Sequence, residues 1–326
     1  MAVSYKSPGS LYTYRPKCAA WNERDLLLFA NSIGCEHTEL HYLYELHPEF
    51  TAFPTYPITL TFKHDYASTT NFQDHFTRHL MPPKASLSPS FPNLDVRQVV
   101  DGERTLEVLR QVPTTSERRP FVIKSSVIGV WDKGAGKSTI LQTEHLLVER
   151  VAQGEDYVYT RMTETAIFMH QGGWGGPNPP SPSAPPATPK MSPTARFTHH
   201  IPRHAHLLYR LNGDYNPLHA TSIPAAVVQP TPIMHGLYSW NVVARGLLAT
   251  FTSGTNARAL KSFRARFVSP VRPGDVLETA MWLCKDCNIG QTVVRFETSV
   301  AGNVVLAAGQ AVLRSDMVLG QGRSRL

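Results

Sequence analysis

Gly236-Leu237-Tyr238-Ser239-Trp240-Asn241-Val242-Val243-Ala244-Arg245-Gly246-Leu247-Leu248-Ala249-Thr250-Phe251 is the stretch on which the fold turns. Leu237, Trp240, Ala244, Leu247, Leu248 and Phe251 recur at steps of three and four, so they share one face of a helix. The sequence then changes period. Residues 260–269, 276–284, 292–300 and 304–314 read as strands. In the first of them Phe263, Ala265 and Phe267 alternate with Arg264 and Arg266, as on a half-buried strand. Pro273-Gly274-Asp275 supplies the turn to the next. The N-terminal half repeats this order. A short apolar helical run (Leu26, Leu27, Leu28, Phe29, Ala30, Ile33) precedes irregular sequence and then strand-like runs at 104–111, 121–132, 142–150 and 157–169. A helix followed by antiparallel strands, twice, predicts an α+β protein with a curved sheet around a helix in each half.

The chain's 326 residues suit about two domains. Eight of the 26 prolines cluster at Pro177, Pro179, Pro180, Pro182, Pro185, Pro186, Pro189 and Pro193, just after Gly172, Gly173, Gly175 and Gly176. Such a segment reads as an extended joint, which divides the chain into 1–171, a linker at 172–196 and 197–326. A hydrophobic fraction of 42% supports real cores, and four cysteines exclude a disulfide scaffold. No run approaches the roughly 18 apolar residues of a membrane span. Residues 1–17 lack the apolar core of a secretory signal, so a soluble, intracellular protein is expected. The net charge of +7 admits nucleic acid, anionic lipid or a phosphorylated ligand as partner. There is no Lys/Arg run of the kind that makes a nucleic-acid arm. Lys261, Arg264, Arg266 and Arg272 favour a small polyphosphate over a duplex, with a solvated strand face as the plain alternative.

The chemistry sits in Tyr209-Arg210-Leu211-Asn212-Gly213-Asp214-Tyr215-Asn216-Pro217-Leu218-His219. Gly213 and Asn216-Pro217 are turn residues that let Asp214 and His219 face one another. A carboxylate and an imidazole around one water act as general base and general acid. An Asx-turn aspartate beside a surface histidine is the plainer alternative. Pro232-Ile233-Met234-His235-Gly236 then opens the long helix, and Gly236 stands where backbone N–H groups lack intrahelical partners. Such donors suit an oxyanion, and glycine admits a ligand close to the backbone.

Together the two segments resemble the signature of the MaoC-like, (R)-specific type 2 enoyl-CoA hydratases, the hydratase-2 family of peroxisomal multifunctional enzymes. Tyr209, Leu211, Gly213, Asp214, Asn216, Pro217, Leu218, His219 and Ala225 match it, and the Pro232–Gly236 segment is similar to the family's Pro-Ile-Leu-His-Gly. The resemblance extends from about residue 20 to 314, through Glu23–Ala30, Glu45–Phe50, Asp101-Gly102-Glu103-Arg104, Val130–Gly134 and Gln171–Gly176. It implies a double hotdog whose C-terminal unit is catalytic and whose N-terminal unit, lacking the motif, helps house the acyl tail. It implies reversible hydration of a trans-2-enoyl-CoA to the (3R)-3-hydroxyacyl-CoA, with no cofactor or metal beyond the CoA of the substrate, in a homodimer. Asp214 and His219 would hold and deprotonate the water, and one of them would return a proton to C2. Asn216 would orient Asp214 or the water, and the Gly236 N–H would stabilise the thioester oxygen. Tyr209, Gly213 and His235 would bind substrate, and Arg264 and Arg266 would face the CoA phosphates. Asn212, where the family has a small residue, and Thr221-Ser222, where Asp-Pro is common, depart from the pattern near the acyl pocket.

Ser324-Arg325-Leu326 resembles the Ser-Lys-Leu peroxisomal address, so peroxisomal location and an import receptor are expected. Gly134-Ala135-Gly136-Lys137-Ser138-Thr139 is not a phosphate loop, because Trp131 stands where the first glycine is needed, and it reads as a hairpin turn. Cys284 and Cys287 form a lone CxxC without the second pair zinc requires. His199, His200, His204 and His206 lack carboxylate or thiol companions and read as the entry to the catalytic unit. A dehydratase in a specialised acyl or polyketide pathway, a thioesterase on the same fold, and a degenerate acyl-CoA-binding protein are the alternatives.

Overall fold

The computed structural model describes residues 9–63, 81–83, 87, 90–180, 191–220, 232–253, 255–284 and 290–319. In chain order the elements are β1 (Tyr12–Thr13), β2 (Lys17–Cys18), α1 (Glu23–Ser32), α2 (Leu40–Leu43), β3 (Val99–Val108), β4 (Phe121–Asp132), β5 (Thr139–Glu149) and β6 (Tyr157–Phe168). They continue with β7 (Ala195–His200), α3 (Ala205–Tyr209), α4 (Gly236–Phe251), β8 (Leu260–Phe267), β9 (Val276–Cys284), β10 (Gln291–Val300) and β11 (Asn303–Arg314). All of these strands join one antiparallel sheet in the order β1-β4-β5-β6-β3-β8-β11-β10-β9-β7, with β2 also on β4. The fold is thus the expected α+β, with the sheets of the two halves fused through β3 and β8, paired from Glu103↔Arg266 to Glu107↔Ser262. Each strand would otherwise present an unpaired row of N–H and C=O groups, which the join satisfies.

Helix α4 lies against β7, β8 and β9. It is buried on more than the one face its periodicity indicates: Ser239, Asn241, Val242 and Val243 are enclosed as well. The sheet covers one side and the N-terminal half the other. Trp240 meets Phe263 edge to face at 4.6 Å, and Phe263 stacks on Phe296 at 4.9 Å. A Cβ on Gly246 would lie 2.4 Å from the Phe197 ring, so the helix approaches β7 only because that position carries none.

The N-terminal half is built differently. Helix α1 starts with a capping box in which the Asn22 side chain accepts from the Asp25 N–H while the Asp25 carboxylate accepts from the Asn22 N–H. It packs on α2 and α3 and makes no comparable contact with the sheet. The wholly buried 3₁₀ turn Tyr56–Thr61 takes the inner position instead. Tyr56, Ile58 and Leu60 share one core with Leu106, Phe121, Leu147 and Met162. Pro57 sits in the first turn of this segment, where its missing N–H costs no intrahelical bond.

The glycine-rich start of the inter-half segment is fastened down. The Asp132 carboxylate accepts from the N–H groups of Gly134, Gly173 and Gly175 at 2.7–2.8 Å, and Trp174 donates to Thr139 Oγ1. The strand β7 begins at Ala195, just inside the stretch assigned to the linker. Residues 181–190, which carry four of its prolines, lie outside the described residues, as do Ala225, Cys287 and Ser324-Arg325-Leu326. Gly134–Thr139 is the β4–β5 hairpin, with Gly134 and Gly136 at φ 100° and 70°. No described helix is long and apolar enough to cross a membrane.

Candidate active site

The loop between α3 and α4 turns where the sequence places its glycine and proline. Gly213 adopts φ 121°, and a Cβ there would lie 2.7 Å from Lys63 Cα, so the loop presses directly on the N-terminal half. Asn216 caps the 3₁₀ turn Pro217–His219, its Oδ1 accepting from the Leu218 N–H at 3.1 Å. Its main-chain N–H donates to Asp214 Oδ1 at 3.2 Å. Asn216 therefore orients Asp214 through its backbone, while its side chain shapes the turn. His219 is 8% exposed, and its Nδ1 donates to the Ile233 carbonyl at 3.0 Å, which leaves Nε2 with the lone pair.

His235 caps this arrangement from the start of α4. Its ring stacks on His219 with centroids 3.7 Å apart, and its Nε2 donates to the Asp214 carbonyl at 3.1 Å. It is 1% exposed, and Nδ1 is buried without a partner among the described residues. Tyr209 lies on its other side at 5.1 Å, and the Tyr209 hydroxyl accepts from Asn241 Nδ2. Asn212, the residue that departs from the pattern, donates to Ser32 Oγ of α1 and to the Tyr209 carbonyl.

A narrow crevice of about 10 Å³, room for about one water, lies beside Asp214, lined also by Thr59, Phe62, Tyr209, Asn212 and Leu237. Gly236 is the first residue of α4, so its N–H has no acceptor within the helix. Burial pushes the Asp214 carboxyl up from its ordinary range, against the pull of His219 and the Asn216 N–H. Burial pushes His219 down, against the Asp214 charge, and pushes His235 well down, with His219 adding to the effect. Near neutral pH the imidazoles are neutral beside a carboxyl held above its ordinary range, a pair able to accept and return one proton.

Asp214, His219 and His235 each bring one ligand atom within 4.8 Å of the others, spacing that a divalent ion could bridge. One nitrogen of each ring is already committed to a main-chain carbonyl.

The chain matches the MaoC-like domain model over residues 183–304 and the model of the hydratase 2 N-terminal domain of multifunctional enzyme type 2 over 20–165. It is 43% identical to the probable dehydratase NIT22 of Ajellomyces capsulatus, covering 94% of this chain and 81% of that one. The chain belongs to the MaoC-like dehydratase family. The peroxisomal enoyl-CoA hydratase 2 of Arabidopsis thaliana is 28% identical, over 93% of this chain and 94% of that one. Among solved structures, a MaoC-like dehydratase from Phytophthora capsici superposes with a TM-score of 0.74 at 30% identity, covering 92% and 95% of the two chains. A Mycobacterium tuberculosis protein described as a double hotdog matches in fold, with a TM-score of 0.52 at 11% identity and 94% and 98% coverage.

Of the family residues expected at the site, Asp214, His219, Asn216, Tyr209 and His235 touch one another, and Asp214 and Tyr209 line the crevice, while Gly213 presses on Lys63 and Gly236 lies against the Phe267 ring. His235 holds the loop from behind and is not among the residues lining the cleft. Arg264 and Arg266 are not brought there. They alternate with Phe263 and Ala265, which face the core, and Arg266 Nε donates to Glu103 Oε2 at 2.6 Å across the β3–β8 join. The four histidines do not gather either. His199 bonds the Tyr238 hydroxyl at 2.9 Å, and burial takes it down to about 4, while His206 sits on α3 near His219. The unforeseen part comes from the N-terminal half: Thr59 and Phe62 in the cleft wall and Arg104 behind them, its guanidinium 5.2 Å from the Phe62 ring. The available signal was an arginine in step with Leu106 and Val108 on the inner face of β3.

Proposed function

We propose that this MaoC-like protein is a hydro-lyase acting on acyl thioesters, adding water to a trans-2-enoyl-CoA to form the (3R)-3-hydroxyacyl-CoA and running the reverse elimination. The observation that carries the proposal is Asp214 and His219 brought within 4.8 Å of one another and each held by a separate main-chain contact, in the loop that leads into α4. Asp214 and His219 Nε2 hold a water. Its oxygen bonds to C3 as its proton passes to the pair, and the C2–C3 π electrons move toward the thioester oxygen. The Gly236 N–H stabilises that oxygen. Return of a proton to C2 completes the addition and restores the pair, so the reaction consumes only water. No cofactor beyond the substrate's CoA enters.

Loss of enoyl-thioester absorbance across a panel of chain lengths, followed by chiral analysis of the product, tests this. Turnover giving the (3R) alcohol is expected, and an (S) product would contradict it. The 43% identity to a protein named a probable dehydratase supports a second assignment, elimination from a specialised 3-hydroxyacyl thioester as the physiological direction. Tight thioester binding without turnover in either direction would instead favour a binding protein.

His235 supplies a further check. His235→Ala removes the hydrogen bond to the Asp214 carbonyl and the stack on His219. It is expected to lower kcat by about 10- to 100-fold with little change in KM, as a displaced reacting group does. His235→Gln, which keeps a donor, should recover part of the loss. Peroxisomal location is supported by the naming of the plant relative and by Ser324-Arg325-Leu326, and a homodimer is proposed from the family resemblance. A fluorescent fusion that ends in this tripeptide should collect in peroxisomes and disperse when Leu326 is removed.

A further inference from the structure

Outward from the join, the long strands of the two halves follow one order, β3-β6-β5-β4 and β8-β11-β10-β9. The halves are therefore related by an approximate two-fold through the β3–β8 pair, near Thr105↔Arg264. That operation carries Phe267, three residues past the centre on β8, onto Val108, three residues past it on β3. Phe267 lies against Gly236 at the start of α4. Val108 lines a cavity of about 320 Å³ between the halves, which shares no lining residue with the crevice beside Asp214.

The loop that leads into this cavity repeats a turn of the catalytic loop. In the catalytic loop Asn216 Oδ1 accepts from the Leu218 N–H, and the His219 N–H donates to the Asn216 carbonyl, both at 3.1 Å. In His47-Pro48-Glu49-Phe50, His47 Nδ1 accepts from the Glu49 N–H at 3.1 Å, and the Phe50 N–H donates to the His47 carbonyl at 2.8 Å. Phe50 thus stands in the place of His219, and it has no proton to exchange. The next residue, Thr51, accepts from the Gln111 side chain of the cavity wall, and Ala52 and Pro54 follow in that wall. The N-terminal half has the turn and the cavity without the imidazole.

Pro54, Val108, Leu260 and Met317 give the cavity apolar walls, and Arg110, Arg258 and Arg314, all exposed, add three guanidiniums. Each is anchored by something other than a carboxylate. Arg314 Nε donates to the Arg258 carbonyl at 2.9 Å, Arg110 sits over the Tyr157 ring at 4.8 Å, and the Arg258 N–H is held by Asn256 Oδ1. Asp316 is the one carboxylate in the lining, and among the described residues none of the three arginines forms an ion pair. The excess positive charge beside apolar walls attracts anions, and guanidinium forks match phosphate oxygens. Three of them exceed what a single carboxylate can take, and they oppose the bare end of an acyl chain. We propose that this cavity is a second, non-catalytic site for a CoA thioester, its phosphates on Arg110, Arg258 and Arg314 and its acyl portion against the apolar walls. The choice of a CoA thioester rests on the hydro-lyase reading of the catalytic half, but the cationic cavity does not.

Equilibrium dialysis of the full chain against octanoyl-CoA, a saturated thioester that cannot be hydrated, tests this. The parent should hold one more molecule per chain than the Arg258→Ala/Arg314→Ala double variant. Arg110→Ala, from the N-terminal half, should weaken the same site by about 10-fold, the scale of a lost charge-assisted hydrogen bond. CoA should displace the ligand from this site, and octanoate should not. Both variants should keep the parent's kcat and KM for enoyl-CoA hydration. A parent that binds a single molecule, absent from the double variant, would uphold the cavity site and count against the catalytic reading alone. Equal binding by parent and double variant would overturn the proposal. So would octanoate competing as well as CoA, or a raised KM in the double variant, which would assign these arginines to the reacting substrate.

Discussion

Asp214→Asn is expected to lower kcat/KM for enoyl-thioester hydration by about 1,000-fold, the scale of a lost general acid–base group. The substitution is nearly isosteric. The amide oxygen keeps the hydrogen bond from the Asn216 N–H, and His235 still holds the main-chain carbonyl. What disappears is the charge and the ability to take a proton from water. The same change should leave the protein at least as stable at neutral pH. Burial raises the Asp214 carboxyl in the folded chain above its unfolded value. The folded state therefore binds the proton more tightly, and its stability declines as pH rises from the ordinary carboxylate range through that raised value. The asparagine variant lacks this decline. A thermal melt at pH 7 should place it at or above the parent, and well below the raised value the advantage should vanish. A variant that is both inactive and clearly less stable at pH 7 would show that the carboxylate is a structural group. The parent's acid limb should also lie above the ordinary carboxylate range.

Arg245→Leu is expected to cost about 3–5 kcal/mol, the scale of breaking a buried ion pair from one side. Arg245 projects from α4 of the C-terminal half to Glu39 of the N-terminal half, with Nε at 2.8 Å and Nη2 at 2.6 Å from Oε2. Both side chains are under one-tenth exposed. Thr255 Oγ1 donates to the other carboxylate oxygen, and the Tyr42 hydroxyl donates to the Thr255 carbonyl, so the cluster bolts α2 to the end of α4. Leucine would leave the Glu39 carboxylate buried with only neutral donors, Thr255 Oγ1 and the Glu36 N–H. Adding Glu39→Gln to Arg245→Leu should return much of the loss, because the penalty lies in the stranded charge. Because the two halves share one sheet, denaturant unfolding should remain a single transition. Near-parent stability of the single variant would mean that water reaches Glu39.

Much of the secondary structure was legible locally. Residues 121–132 and 276–284 form strands with the expected ends, and α4 starts at Gly236 as its apolar spacing requires. The signature around Asp214 and His219 was equally plain, because turn residues and reacting residues are contiguous there. The readings that did not carry over depended on what lies across a gap in the chain. Arg266 alternates with core residues along its strand as expected, but its partner, Glu103, comes from the other half. His235 was visible as part of the motif, but its work as a clip on the Asp214 carbonyl depends on a ring stacked from 16 residues away, on His219.

The sequence by itself determined the repeating helix-and-strand order, the antiparallel strands and the chemistry available in one loop, because period, turn residues and motif spacing act over a few residues. Tertiary structure decided that β3 pairs with β8, that a 3₁₀ turn takes the inner place in the N-terminal half, and that Arg104 stands behind the cleft. The β3–β8 pairing joins Glu103 to Arg266, and buried Arg245 meets Glu39, partners more than a hundred positions apart in the chain. No local pattern records which partner each one meets.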